Sequence, residues 1–124
     1  MRAPDTIKVL FYMMCVMVLL TSKAQAQISE SGKLYEQGIY QLEAAGNFEE
    51  AILLFNRVVN EHPTDKPLAA KALLKLGLCY ERQGSQKAEE AYTLIIEKFA
   101  DQAQQVAEAR ERLAALHQQT EGAG

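Results

Sequence analysis

Residues 73–84 read Leu73-Leu74-Lys75-Leu76-Gly77-Leu78-Cys79-Tyr80-Glu81-Arg82-Gln83-Gly84, and this stretch decides the fold. Leu73, Leu76, Gly77 and Tyr80 fall three and four positions apart, the spacing that lines one face of an α-helix. Gly84 supplies the left-handed position on which helices commonly end. Upstream, Asp65 is placed to cap this helix, with Pro67 in its first turn, where a missing N–H costs little. Downstream, Ser85 is placed to cap another helix, carrying Ala88, Ala91, Tyr92, Ile95, Ile96 and Phe99.

The same punctuation recurs on both sides. A helix over about 31–45 carries Leu34, Tyr35, Gly38, Ile39 and Leu42 and ends at Gly46. Asn47 and Glu50 have the spacing of a capping box opening a helix with Ala51, Leu54, Phe55, Val58 and Val59, which stops before Pro63. Asp101 and Gln104 repeat that spacing ahead of Val106, Ala109, Leu113 and Leu116. The polar end, 118–124, is expected to fray. No window alternates apolar and polar residues long enough for a half-buried strand. Five helices joined by short loops make an all-α domain.

Set beneath one another, the hairpins repeat. Gly46 lies over Gly84, 38 residues apart, while Ala51 over Ala88, Phe55 over Tyr92 and Val58 over Ile95 are 37 apart. A period of this length marks a solenoid. A small residue (Ala51, Ala88) lets the helices of a hairpin approach, and the aromatic four residues on fills the wedge between hairpins.

These residues resemble the tetratricopeptide repeat family. Leu76, Gly77 and Tyr80 sit at the signature positions of that family's first helix, and Ala88 and Tyr92 at the small and aromatic positions of its second. In the first repeat Gly46, Phe48, Ala51, Phe55 and Pro63 match. Gly38-Ile39 stands for the usual Leu-Gly, Leu42 for the tyrosine, Ala100 for the second proline, and an insertion of about four residues separates the repeats. The resemblance implies a right-handed α-solenoid over 32–117: repeat 1 about 32–63, repeat 2 about 67–100, and a capping helix at 102–117. Pro67-Leu68-Ala69-Ala70, Gly77 to Glu81 and Ala109 to Leu113 are similar to extracytoplasmic repeats of bacterial envelope proteins, of the Tol-Pal coordinator and outer-membrane assembly lipoprotein type.

Residues 1–26 stand apart. Arg2 and Lys8 precede the apolar run Val9 to Leu20, and Ala24-Gln25-Ala26 follows. Basic start, apolar centre and Ala-x-Ala ending describe a signal peptide cleaved between Ala26 and Gln27, with 27–31 a short linker. Twelve apolar residues reach about 18 Å as a helix, short of a hydrocarbon layer of about 30 Å. Cys15 lies within the apolar run after Tyr12-Met13-Met14, a poor context for lipid attachment. Removing Arg2, Lys8, Lys23 and Asp5 with this segment leaves 10 basic and 15 acidic residues, a net charge of -5. So acidic a domain is not built for nucleic acid or anionic lipid. The expected location is extracytoplasmic, periplasmic first and secreted as the alternative. Cys79 alone remains, so no internal disulfide forms, and its apolar surroundings make it a small buried hydrophobe.

No catalytic constellation emerges. His62 and His117 are 55 residues apart. Ser29, Ser31, Thr64 and Ser85 adjoin helix starts, where hydroxyls cap. Glu49-Glu50 and Glu89-Glu90 occupy first turns, where acids suit the positive helix end. The sequence calls for no enzyme activity, metal or cofactor. The family resemblance implies instead a concave groove for a protein or peptide partner, with ligand-facing positions at Lys33, Glu36, Tyr40 and Glu43 and at Lys71, Leu74, Leu78, Glu81 and Arg82. The asparagine-and-lysine carboxylate clamp of some members is absent. The alternative is a structural module that associates with a second copy, or the leading repeat segment of a longer secreted protein.

Overall fold

A computed structural model describes residues 3–25 and 29–122. Its elements are α1 (Ala3–Gln25), α2 (Glu30–Ile39) continued by a π-helical turn (Tyr40–Ala45), α3 (Phe48–Glu61), α4 (Lys66–Arg82), α5 (Lys87–Lys98) and α6 (Ala103–Gly122). No strand occurs among the described residues. The expected cleavage point at Ala26–Gln27 lies outside them. Every described side chain of α1, Asp5 to Val18, is exposed.

From α2 onward the chain is two helical hairpins and a closing helix, the α-solenoid that the repeat pattern predicts. Loops of two to four residues leave consecutive helices no course but antiparallel packing. Helix α4 is the central element, touching α2, α3, α5 and α6. Its buried residues Ala69, Ala70, Ala72, Leu73, Leu74, Leu76, Gly77 and Cys79 face neighbours on almost every side. Phe55, Val58, Tyr92 and Ile95 are wholly buried in the same core. Tyr35 packs on Phe55 with ring centroids 5.7 Å apart.

Local chemistry sets the ends. Asn47 Oδ1 accepts the Glu50 N–H at 3.2 Å, and Asp65 Oδ1 accepts the Leu68 N–H at 3.4 Å. Gly46 and Gly84 have φ of 65° and 66°. Past α4, the Ser85 N–H reaches the Tyr80 carbonyl and the Gly84 N–H the Glu81 carbonyl, both at 2.9 Å, which is the Schellman closure.

Three boundaries differ from expectation. Within 27–31, Ser29 caps α2 and Ser31 is already buried in it, its hydroxyl donating to Asp65 Oδ2 at 3.2 Å. Helix α6 runs to Gly122, past the expected end at 117, because Leu113 and Leu116 pack on the core and carry the backbone onward. The Asp101–Gln104 capping box does not form: the Asp101 side chain takes no hydrogen bond among the described residues, and the helix opens from the Gln102 carbonyl, which accepts the Val106 N–H at 3.0 Å. Ser85 does act near the start of α5, its hydroxyl accepting the Lys87 N–H at 3.2 Å.

Candidate functional site

The register of the two repeats is fixed by their closest packing. A Cβ added to Gly38 would sit 2.6 Å from Phe55 Cε1, and one added to Gly77 would press still closer on Tyr92 Cε1. Gly38 and Gly77 are therefore equivalent, each the floor on which an aromatic ring from the following helix rests. That equivalence corrects the assignment of Gly38-Ile39 to the Leu-Gly position: Gln37-Gly38 holds it.

Gly38 and Gly77 are 39 residues apart, but the terminating glycines Gly46 and Gly84 are 38 apart. The first repeat has one extra residue between packing glycine and terminating glycine, and the π-helical turn Tyr40–Ala45 absorbs it. The Gln41 carbonyl accepts the Gly46 N–H, and it also accepts the Asn47 N–H at 2.8 Å, a closure one residue wider than that at Gly84.

Helix α2 with its π turn, α4 and α6 bound two depressions that share Lys75. One, about 460 Å³, is lined by Gly32, Tyr35, Glu36, Leu68, Lys71, Leu74, Lys75, Gln105 and Glu108. The other, about 540 Å³, is lined by Leu42, Glu43, Lys75, Leu78, Glu81, Arg82 and Arg112. Together they follow α4 from Leu68 to Arg82, about 21 Å at 1.5 Å per residue.

This geometry brings together Glu36, Glu43, Lys71, Leu74, Leu78, Glu81 and Arg82 of the expected set. Lys33 and Tyr40 lie elsewhere: with Gln37, Gln41, Glu50 and Leu54 they line a depression between α2 and α3, which Glu36 also borders. Tyr40 is 62% exposed there. The shift follows from register, since a 38-residue offset was carried through a helix whose N-terminal part obeys 39. Lys33 and Tyr40 are thereby displaced by one residue, about 100° around the helix, while Glu36 borders both depressions and Glu43, within the π turn, stays in the groove. Leu74 borders the groove but is 6% exposed, held in the core.

Sequence reading missed Gly32, Tyr35, Leu42, Leu68, Lys75, Gln105, Glu108 and Arg112. Aligning Gly38 with Gly77 through their aromatic partners would have found Tyr35. The α6 residues carry no such signal, because that helix has no second member to pair with.

Glu81 is held internally. The Tyr92 hydroxyl donates to its Oε1 at 2.6 Å, and Arg112 Nη1 reaches its Oε2 at 3.5 Å. One carboxylate thus ties α4 to α5 and α6. Burial first, then the hydrogen bond to Glu81, pushes the Tyr92 hydroxyl far above the ordinary tyrosine range. Burial, with Glu43 nearby, raises that of Tyr35. Desolvation likewise raises the Cys79 thiol, which disfavours its reactive thiolate.

No cluster that could hold a metal occurs among the described residues. His62 closes α3, whereas His117 Nε2 faces Glu89 Oε1 on α5 at 3.2 Å, so the two histidines share no site. Nor is any helix, among the described residues, long and apolar enough to cross a membrane.

A family model described as tetratricopeptide repeat matches residues 34–65 and 71–119. No curated protein and no solved structure matches the chain. The matched segments take in both glycine–aromatic pairs and most of α6, and cover more than half of the sequence; the chain belongs to the tetratricopeptide repeat family.

Proposed function

We propose that this protein is an exported adaptor whose concave groove holds a segment of a partner protein in the cell envelope. Family membership makes the domain a protein-interaction module of a generally non-catalytic kind. The observation that carries the rest is the groove along α4, where Tyr35, Leu42 and Leu78 offer apolar contact inside a charged rim and no described helix covers them. Its length suits about six residues of extended chain at 3.3 Å each. Export is supported by the basic, apolar and Ala-x-Ala order of residues 1–26, and the envelope setting by the resemblance of Pro67 to Ala70, Gly77 to Glu81 and Ala109 to Leu113 to extracytoplasmic repeats.

Two measurements test this. With a photo-crosslinking residue in place of Lys71, adducts with a second protein are expected; with the same residue in place of Glu97 on α5, they are not. Equal yields from both positions would remove the groove. N-terminal sequencing of the chain from an envelope fraction should begin at Gln27, and a chain retaining Met1 in the cytosol would end the export reading.

A second reading has its own observation. Tyr40 and Leu53, 62% and 60% exposed, lie on the π turn and on α3, in the hairpin at the N-terminal edge of the repeat array. They favour self-association through that edge, which light scattering would detect as a dimer that Tyr40→Asp dissociates.

A further inference from the structure

The groove is unevenly charged along its length. At the C-terminal end of α4, Lys75, Arg82 and Arg112 converge around Leu42 and Leu78. Two carboxylates share this end, and both are engaged within the chain. Glu81 accepts from Tyr92 and Arg112, and Glu43 Oε1 lies 3.9 Å from Lys75 Nζ. Arg82 has no carboxylate partner among the described residues. Its guanidinium lies over the Phe48 ring, 5.8 Å from the centroid. A cation–π contact of this kind leaves the guanidinium N–H donors free of a carboxylate.

The surroundings sharpen this feature. The whole chain carries a net charge of -3, and the outer face of α5 presents Glu89, Glu90 and Glu97 around Leu94. A cationic end of a groove in an otherwise acidic molecule attracts an anionic group and repels a cationic one. Spacing adds a second constraint. Leu78 and Arg82 are four residues apart, about 6 Å along α4. Residues i and i+2 of an extended peptide project to the same side about 6.6 Å apart.

We propose that this end of the groove takes an acidic side chain of an extended partner peptide on Arg82, with an apolar side chain two residues away seated on Leu42 and Leu78. The inference rests on the groove reading above and adds the chemistry of the occupant. Arg82 supplies a two-pronged contact to the carboxylate, while Lys75 and Arg112 are already committed to Glu43 and Glu81.

The test is an NMR titration of the full chain with acetyl-Gly-Glu-Ser-Leu-Ser-Glu-Gly-amide, which offers the spacing in both chain directions, against the same peptide with glutamine for both glutamates. The expected result is saturable shifts at the Arg82 side-chain N–H and the Leu78 and Arg82 amides. Affinity should drop roughly fivefold or more for the glutamine peptide, in line with loss of a charge-assisted hydrogen bond. Arg82→Gln should lower affinity for the glutamate peptide similarly and Arg82→Lys less, while Lys66→Gln, outside the groove, leaves it unchanged. Arg82 is exposed, so an unchanged circular dichroism melt confirms that these variants fold. Equal affinity for the two peptides, or indifference to Arg82→Gln, would overturn the acidic preference and leave the groove itself standing. Absence of saturable shifts at millimolar peptide would also overturn it, and the crosslinking at Lys71 would then decide the groove separately.

Discussion

Gly77→Ala sets two effects of opposite sign against each other. An alanine in the interior of a helix is worth about 1 kcal/mol over glycine through backbone entropy, and on that ground alone the variant would be more stable. The new methyl, however, would meet the Tyr92 ring at three atoms, all under 3.0 Å. That ring is wholly buried, and its hydroxyl is anchored to Glu81 at 2.6 Å. It has no free space to swing into and loses a charge-assisted hydrogen bond if it shifts. Overpacking of this kind costs about 1–3 kcal/mol, and with an anchored ring the upper half of that range applies. The net expectation is destabilisation of about 1–2 kcal/mol. In urea unfolding followed at the helical circular dichroism band, with a slope of about 1–1.5 kcal/mol per molar, the midpoint should fall by about 1 M.

A double-mutant cycle separates this cause from a general loss of stability. Tyr92→Leu removes the ring and leaves room at position 77, but by itself opens a cavity and discards the Glu81 bond, at a cost of several kcal/mol. Combined with Gly77→Ala, the loss should be smaller than the sum of the singles by about 2 kcal/mol. Additive losses, or a Gly77→Ala variant more stable than the parent, would refute the glycine–aromatic contact as the element that fixes the repeat register.

Two further outcomes follow. Gly84 has open space around a would-be Cβ but a φ of 66°, so Gly84→Ala should cost about 1–2 kcal/mol through backbone strain alone and Gly84→Asn distinctly less, as urea midpoints would show. The Tyr92 hydroxyl is raised in the folded chain, so its contribution to stability is complete below the ordinary tyrosine value of about 10 and declines as pH climbs above it. Thermal melts from pH 9 to 12 should fall more steeply for the parent than for Tyr92→Phe; parallel curves would remove Tyr92 as the cause.

The sequence made the hairpins legible because their ends are written in local chemistry. Asn47 and Asp65 cap, Gly46 and Gly84 adopt the left-handed turn, and Pro67 sits in a first turn, each choice dictated by the backbone within a few residues. The core was legible for a related reason: Phe55, Val58, Tyr92 and Ile95 recur at matching offsets and all are fully buried. The Asp101–Gln104 spacing shows the limit of such signals, since a carboxylate at the right distance formed no cap where the Gln102 carbonyl already started the helix.

The groove was harder to read because it depends on rotation about a helix, and rotation is sensitive to a single residue. A π turn has no residue signature; it appears only as an extra position between two constraints, here Gly38 against Phe55 and Gly46 at the chain reversal. Each constraint is satisfied in both repeats, so the surplus residue had to be accommodated between them. Moving Gly38 off the Phe55 ring would have placed a side chain in a gap that admits none, and moving Gly46 would have put the alanine Ala45 at a positive φ. Widening one helical turn disturbs neither contact. The groove face of the first repeat is thereby set by its packing glycine and not by its terminating one, which is why Tyr35 lines the groove while Tyr40, the first residue of the π turn, borders the depression between α2 and α3 and is exposed.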